Sequence, residues 1–99
     1  MGAGYVGILS VELFFPESHS LKEKRMYLRS AKAQLQNRVG ASVAEVDHHD
    51  LWQRSLLVLT SAAREMGELH ELLDGVDRWL HGQDWVVARL ERRIVSLED

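Results

Sequence analysis

The chain has 99 residues, of which 45% are hydrophobic, no cysteine and a formal net charge of −3. A chain of this length has room for one core, so we expect residues 1–99 to form a single domain. The lack of cysteine excludes a disulfide framework, a thiolate nucleophile and a cysteine-ligated metal centre, and it is typical of the reducing cytoplasm. The longest apolar run, residues 56–59, is far shorter than the roughly 20 residues that cross a bilayer, so no membrane segment is predicted.

Charge is distributed unevenly along the chain. Residues 1–38 carry six basic and three acidic side chains, whereas residues 39–99 carry six basic and twelve acidic side chains. An anionic partner would therefore be attracted to the first part of the chain and repelled by much of the rest.

The first two elements are marked by local signals. Residues 5–15 are rich in β-branched and aromatic residues and alternate in the manner of a central strand. Pro16 ends this strand because its ring nitrogen cannot donate to a ladder. Ser20 and Glu23 have the spacing of a capping box, which predicts the start of a helix, and Gly40 predicts its end.

This first helix has an apolar side and a basic side. Four apolar residues share one side of the helix: Leu21, Leu28, Ala31 and Leu35. Four cations, spaced three, four and three residues apart, form a neighbouring stripe that we call the basic ridge: Lys22, Arg25, Arg29 and Lys32. Lys24 falls in the apolar sector, where its methylenes can pack while its ammonium reaches an edge or a carboxylate.

Two strands, a second helix and a last strand are predicted to follow. Residues 41–47 and 51–60 alternate on either side of His48-His49-Asp50, which is typical of a β-hairpin. The second helix is predicted from an apolar series at helical spacing, closed by Gly82: Ala62, Met66, Leu69, Leu73, Val76 and Leu80. Residues 85–97 alternate as a strand with one buried and one solvent-exposed face. The apolar series, predicted to face the core, is Val86, Ala88, Leu90 and Ile94.

The resulting order β-α-β-β-α-β predicts an α+β ferredoxin-like fold, an antiparallel sheet with two helices on one face. The other face of the sheet is then uncovered and carries Val6 and Ile8 among polar residues. The last strand is long for an edge strand, and unpaired edges invite strand addition from another chain. These features predict a homodimer through the edge strand or the open sheet face.

Three possible chemical sites lack the context that their chemistry needs. Residues 2–7 match G-x-G-x-x-G, but a strand follows where a nucleotide site needs a helix. Residues 47–50 contain four possible metal ligands, but adjacent histidines on a turn point apart, so we expect solvated turn residues and no metal or other cofactor. No G-x-S-x-G elbow, the nucleophile turn of many hydrolases, is present. An acylphosphatase site would need a positioned asparagine, but the only asparagine, Asn37, lies at the far end of the first helix. We therefore expect no catalytic residues and no enzymatic activity, with an uncharacterised hydrolase as the remaining alternative.

The basic ridge is the remaining candidate. On most helices such a ridge is a solvated surface, but here almost no acid is interspersed, so either the acidic second helix or a phosphate backbone must neutralise it. Residues 51–57 have no counterpart of the aromatic RNP1 motif, so any RNA contact would be to phosphates. Trp52, Trp79 and Trp85 are expected to pack in the core or at its rim rather than to stack bases.

Three segments of the chain resemble the YlxP-like family, small bacterial proteins grouped as a domain of unknown function. They are Ser20-Leu21-Lys22-Glu23-Lys24-Arg25, Val43-Ala44-Glu45-Val46, and Asp50 with Trp52. The resemblance implies a ferredoxin-like fold and a gene that often lies beside translation-initiation and ribosome-maturation genes. No catalytic residues are agreed for this family, so none is transferred.

Together these observations predict a cytoplasmic, non-enzymatic accessory protein whose partner is the ribosome or RNA. The phosphate-contacting residues would be Lys22, Lys24, Arg25, Arg29 and Lys32. The alternative is a dimeric small-ligand-binding or protein-interaction module resembling ACT domains, in which the sheet assembles two chains.

Overall fold

Four strands and two helices follow one another in the predicted order. The computed structural model describes residues 3–97. Its elements are β1 (Tyr5–Phe14), α1 (Leu21–Val39), β2 (Ser42–Asp47), β3 (Arg54–Ala63), α2 (Met66–His81) and β4 (Val86–Ser96). The strands form one antiparallel sheet in the order β2-β3-β1-β4. The ferredoxin-like α+β fold is thus confirmed.

Helix α1 begins and ends at the residues that the sequence predicted. Ser20 Oγ accepts a hydrogen bond from the Glu23 backbone N–H at 3.1 Å. The Glu23 carboxylate in turn accepts from the backbone N–H of His19 at 2.9 Å, one residue earlier than in the standard capping box. At the other end Gly40 has a φ of 65° and donates to Gln36 O at 3.0 Å, so a left-handed residue closes the helix.

The boundary between β3 and α2 differs from the prediction. Ala62, predicted as the first apolar residue of the helix, lies in β3 opposite Val6 of β1, and α2 starts only at Met66. Ala62 precedes Met66 by four residues, so its helical spacing is coincidental. Strand β3 continues to Ala63 because β1 pairs with it as far as Tyr5, which lies opposite Ala63.

The core lies between the sheet and the helices. Its buried apolar residues come from β1, β3, both helices and two connecting positions, Phe15 and Ala41. Each is at most 5% exposed: Leu9, Val11, Leu13, Phe15, Leu28, Leu35, Ala41, Leu57, Leu59, Leu69, Leu73, Val76 and Leu80. The apolar stripe predicted for α2 from Leu69 onward therefore packs on the sheet as its spacing required.

A bulge changes which residues of β4 face the core. Glu12 pairs with Arg89 but Leu13 pairs with Val87, so Ala88 is an extra residue in β4. Leu90 and Ile94 pack against the core as the alternation predicted, whereas Val87 takes the place expected for Val86, which is 49% exposed. The predicted inward position of Val86 and Ala88 is wrong because one inserted residue reverses the side-chain parity.

One sequence position marks a close approach between α2 and β1. A Cβ added at Gly7 would lie 2.8 Å from Leu73 Cδ1 and 3.0 Å from Leu69 Cδ1, whereas one added at Gly67 meets nothing within 4 Å. We expect Gly7→Ala to lower the free energy of unfolding by about 1–3 kcal/mol because the two leucines must shift. Urea denaturation followed by circular dichroism measures this.

Gly67→Ala is the matched control for this helix–strand contact. Because alanine costs less backbone entropy than glycine in a helix, Gly67→Ala should leave stability unchanged or raise it by up to about 1 kcal/mol. Equal stabilities for the two variants would contradict the close contact at Gly7.

Candidate nucleic-acid interface

The basic ridge of α1 lies beside the buried face of the helix. The buried residues of α1 are Lys24, Leu28, Ala31 and Leu35. The ridge residues Lys22, Arg25 and Arg29 are exposed, and Lys32 is half-buried. Within residues 3–97, none of the four ridge cations lies within 4.0 Å of a carboxylate oxygen.

In the described chain, no acid of α2 lies within 4.0 Å of a ridge cation, and two of these acids have other partners. On α2, Asp74 Oδ1 lies 2.8 Å from Arg92 and Asp77 Oδ1 lies 2.8 Å from His81. Glu12 accepts from Arg54 at 2.7 Å. Between residues 3 and 97, the acidic second helix therefore makes no ion pair with the ridge.

Lys24, predicted to contact phosphate, is instead buried. Its side chain is 1% exposed, and its Nζ lies 3.0 Å from Glu45 Oε2. The same ammonium donates to His48 O at 2.8 Å, Arg54 O at 3.2 Å and His49 O at 3.4 Å. The prediction for Lys24 is wrong because its ammonium is already engaged inside the molecule, where a phosphate cannot reach it. Its role is to hold the β2–β3 connection, residues 48–53, against α1.

Glu45 completes the ion pair from strand β2. Its Oε2 accepts from Ser55 Oγ at 2.6 Å, and Ser55 is itself fully buried. Burial opposes ionisation of Glu45, but the hydrogen bond from Ser55 and the contact with the Lys24 ammonium outweigh it, so the pKa of Glu45 lies below its ordinary value of 4.5. The Glu45 carboxyl is therefore ionised at neutral pH.

This lowered pKa predicts a pH dependence of stability. The contribution of Glu45 is fully present above the ordinary carboxyl pKa of 4.5 and is lost as the pH falls through the lower pKa of the folded state. We expect Glu45→Gln to be less stable than wild type at pH 7, and the difference to shrink below about pH 4.5. Thermal unfolding across this range measures it, with the exposed Glu71→Gln as control. A constant difference at all pH values would contradict the assignment.

The histidines of the β2–β3 connection point to separate partners. His48 has a φ of 65° and its Nε2 lies 4.0 Å from Glu12 Oε1, whereas His49 Nε2 lies 3.2 Å from Glu45 O. In the described part of the chain, no three histidine or acidic side chains are placed to hold a metal ion. Of the glycine-rich string at the N-terminus, Gly2 lies outside the described residues, and Gly7 belongs to β1.

The tryptophans divide into two groups. Trp79 and Trp85 pack edge to face with ring centroids 5.7 Å apart, and Trp85 makes a similar contact with Phe15 at 5.8 Å. These two follow the prediction of rim packing. Trp52 does not, because it is 50% exposed in the connection that Lys24 holds against α1. An aromatic ring thus lies exposed in a loop bound to the helix that carries the ridge.

The geometry defines an α+β ferredoxin-like protein whose basic ridge makes no ion pair with the acids of residues 3–97. No helix between residues 3 and 97 is both long and apolar enough to cross a membrane. Residues 6–94 match the family model "Protein of unknown function (DUF503)", and the chain belongs to this family. The resemblance carried by the Ser20–Arg25 motif is therefore confirmed.

Two known proteins are similar to this chain, one in sequence and one in fold. "Uncharacterized protein YlxP" of Bacillus subtilis (strain 168) is 30% identical over 76 residues, which cover 73% of this chain and 83% of that protein. The solved structure "De novo designed protein Foldit4" has a TM-score of 0.53 and 10% sequence identity, and the match covers 94% of this chain and 97% of that one. The designed protein supports the fold alone.

Proposed function

We propose that this protein is a cytoplasmic, non-enzymatic accessory protein that binds RNA or a ribosomal particle through the basic ridge of α1. The observation that carries the proposal is that, in residues 3–97, Lys22, Arg25, Arg29 and Lys32 have no acidic partner. Four neighbouring cations repel one another, and an anion that binds along them relieves this repulsion.

The length of the ridge suits a nucleic-acid strand better than a single small anion. From Lys22 to Lys32 the helix rises about 15 Å, which is long enough to follow the phosphates of several nucleotides. Contacts of lysine and arginine to phosphate carry little sequence information, so binding should depend weakly on base sequence. Exposed Trp52 adds a ring on which a base can stack without sequence preference.

Sedimentation of ribosomal particles from cells that express the tagged protein tests the proposal. At about 50 mM salt the protein should migrate with a ribosomal particle or another RNA-containing complex, and at about 200 mM salt it should move to the top of the gradient, because counterion release weakens phosphate contacts steeply. Treatment with ribonuclease should also release it. Migration at the top of the gradient under both conditions would contradict the proposal.

A dimeric module is the second candidate function. It is favoured by the face of the sheet opposite the helices, where Val6, Ile8, Leu56 and Val58 lie in neighbouring strands. Among the described strands, β4 also lies at an edge of the sheet, next to β1. A second copy on this face would make association depend on protein concentration and only weakly on salt, which distinguishes it from phosphate binding.

A further inference from the structure

A groove with an aromatic floor lies on the flank of α1 away from the basic ridge. It has a volume of about 540 Å³ and runs between α1, the segment that follows β1 and the connection from α2 to β4. Phe15 and Tyr27 are stacked in its floor with ring centroids 5.7 Å apart and planes at 7°, and Trp85 meets Phe15 edge to face. Met26, which is 58% exposed, adds a flexible apolar wall. The volume lies in the range of sites that bind ligands.

The rim of this groove is acidic. Glu17, Glu23 and Asp84 line it, and no lysine or arginine is among its lining residues within the described chain. The carboxylates of Glu17 and Asp84 have no ion pair between residues 3 and 97, and Glu23 is engaged only by the backbone N–H of His19. Because the rim repels phosphate, the groove is unsuited to RNA, and its charge is complementary to a cation.

The shape of the groove indicates an extended ligand. Its wall on α1 runs from Glu23 to Gln34, an axial distance of about 16 Å. An extended peptide of about five residues has this length. A compact organic cation would fill only part of the groove and would leave the remaining apolar wall in water.

We propose that this groove binds an extended segment of a partner protein that places an arginine or lysine side chain over the aromatic floor. The ring of Tyr27, which is 37% exposed, attracts a cation, and Glu17 and Asp84 are placed to accept its hydrogen bonds. Apolar residues on either side of the basic one would contact Met26. The interaction does not use the basic ridge, so it stands independently of RNA binding.

Two peptide pools test the proposal by NMR titration of the 15N-labelled full chain. One pool contains acetylated pentapeptide amides with a central arginine and apolar flanking residues, and the other carries citrulline, the neutral isostere, at the centre. The arginine pool should shift the amide signals of Tyr27 and Trp85 and bind at least about fivefold more tightly than the citrulline pool. The double variant Glu17→Gln/Asp84→Asn should abolish this preference.

The control variant Glu68→Gln/Glu71→Gln makes the same change of net charge on exposed positions of α2 and should keep the preference. Four outcomes would overturn the proposal. The first is that neither pool shifts the amide signals of the groove residues, and the second is that the α2 control loses the arginine preference as completely as the groove variant. The third is that arginine amide alone binds as tightly as the arginine pool. The fourth is that the amide signals of the groove residues shift with protein concentration when no peptide is present. The third would assign the groove to a small cation and the fourth to a second copy of this chain.

Discussion

Replacing Lys24 by methionine is expected to lower the free energy of unfolding by about 3–5 kcal/mol, a large part of the total for a domain of this size. Methionine fills most of the volume of the lysine methylenes but has no donor. It would leave the Glu45 carboxylate without its cation, and it would remove a donor from three backbone carbonyls, those of His48, His49 and Arg54. Urea denaturation measures the loss.

Lys22→Met is the matched control, because Lys22 is exposed on the basic ridge of the same helix. It should change stability by less than about 0.5 kcal/mol. The double variant Lys24→Met/Glu45→Leu should recover part of the loss, since no buried charge is left unpaired, but not all of it, since the carbonyls still lack their donor. A Lys24→Met protein as stable as the Lys22→Met control would contradict the buried ion pair.

The double variant Arg25→Glu/Arg29→Glu is expected to lose retention on ribosomal particles and to bind RNA at least about a hundredfold more weakly. It removes two charge-assisted phosphate contacts from the middle of the ridge and replaces them with carboxylates that repel phosphate. Both side chains are exposed, so the fold should be unaffected. Co-sedimentation and fluorescence anisotropy with a labelled RNA measure the loss, and circular dichroism checks the fold.

The control for charge reversal is Arg78→Glu/Arg93→Glu, which changes net charge equally at exposed positions on α2 and β4. If binding depends on the ridge, this control should weaken RNA binding only slightly, through the long-range field of the molecule. An equal loss in both double variants would indicate that net charge alone governs binding. Unchanged retention of Arg25→Glu/Arg29→Glu would contradict the proposed interface.

Local signals were sufficient to predict the order of the elements. Ser20 and Glu23 specified the start of α1 through hydrogen bonds within one turn, and Gly40 specified its end. The start of α2 and the side of the sheet on which Val86 lies were predicted wrongly, because both depend on pairing with β1. Its ladder extends β3 to Ala63, and the bulge in β4 lies opposite it. Pairing between distant strands is not encoded in local periodicity.

The candidate interface was predicted in part. Helical spacing alone placed Lys22, Arg25, Arg29 and Lys32 in one stripe, and it also placed Lys24 in the apolar sector. That Lys24 is buried depends on Glu45 and on carbonyls 24 to 30 residues away, which spacing cannot identify.

The aromatic groove was missed for a similar reason. Its floor combines Phe15, Tyr27 and Trp85, which belong to three different parts of the chain. Each residue alone looks like an ordinary core or rim aromatic. The one signal that the sequence offered was the number of acids close to these aromatics.

The salt dependence of RNA binding tests the role of the basic ridge most directly. Fluorescence anisotropy with a labelled single-stranded RNA between about 50 and 200 mM salt gives the slope of log K against log salt concentration. Four phosphate contacts by Lys22, Arg25, Arg29 and Lys32 predict a slope of about −3. A slope near zero, or no detectable binding at about 50 mM salt, would contradict an interface built on these four cations.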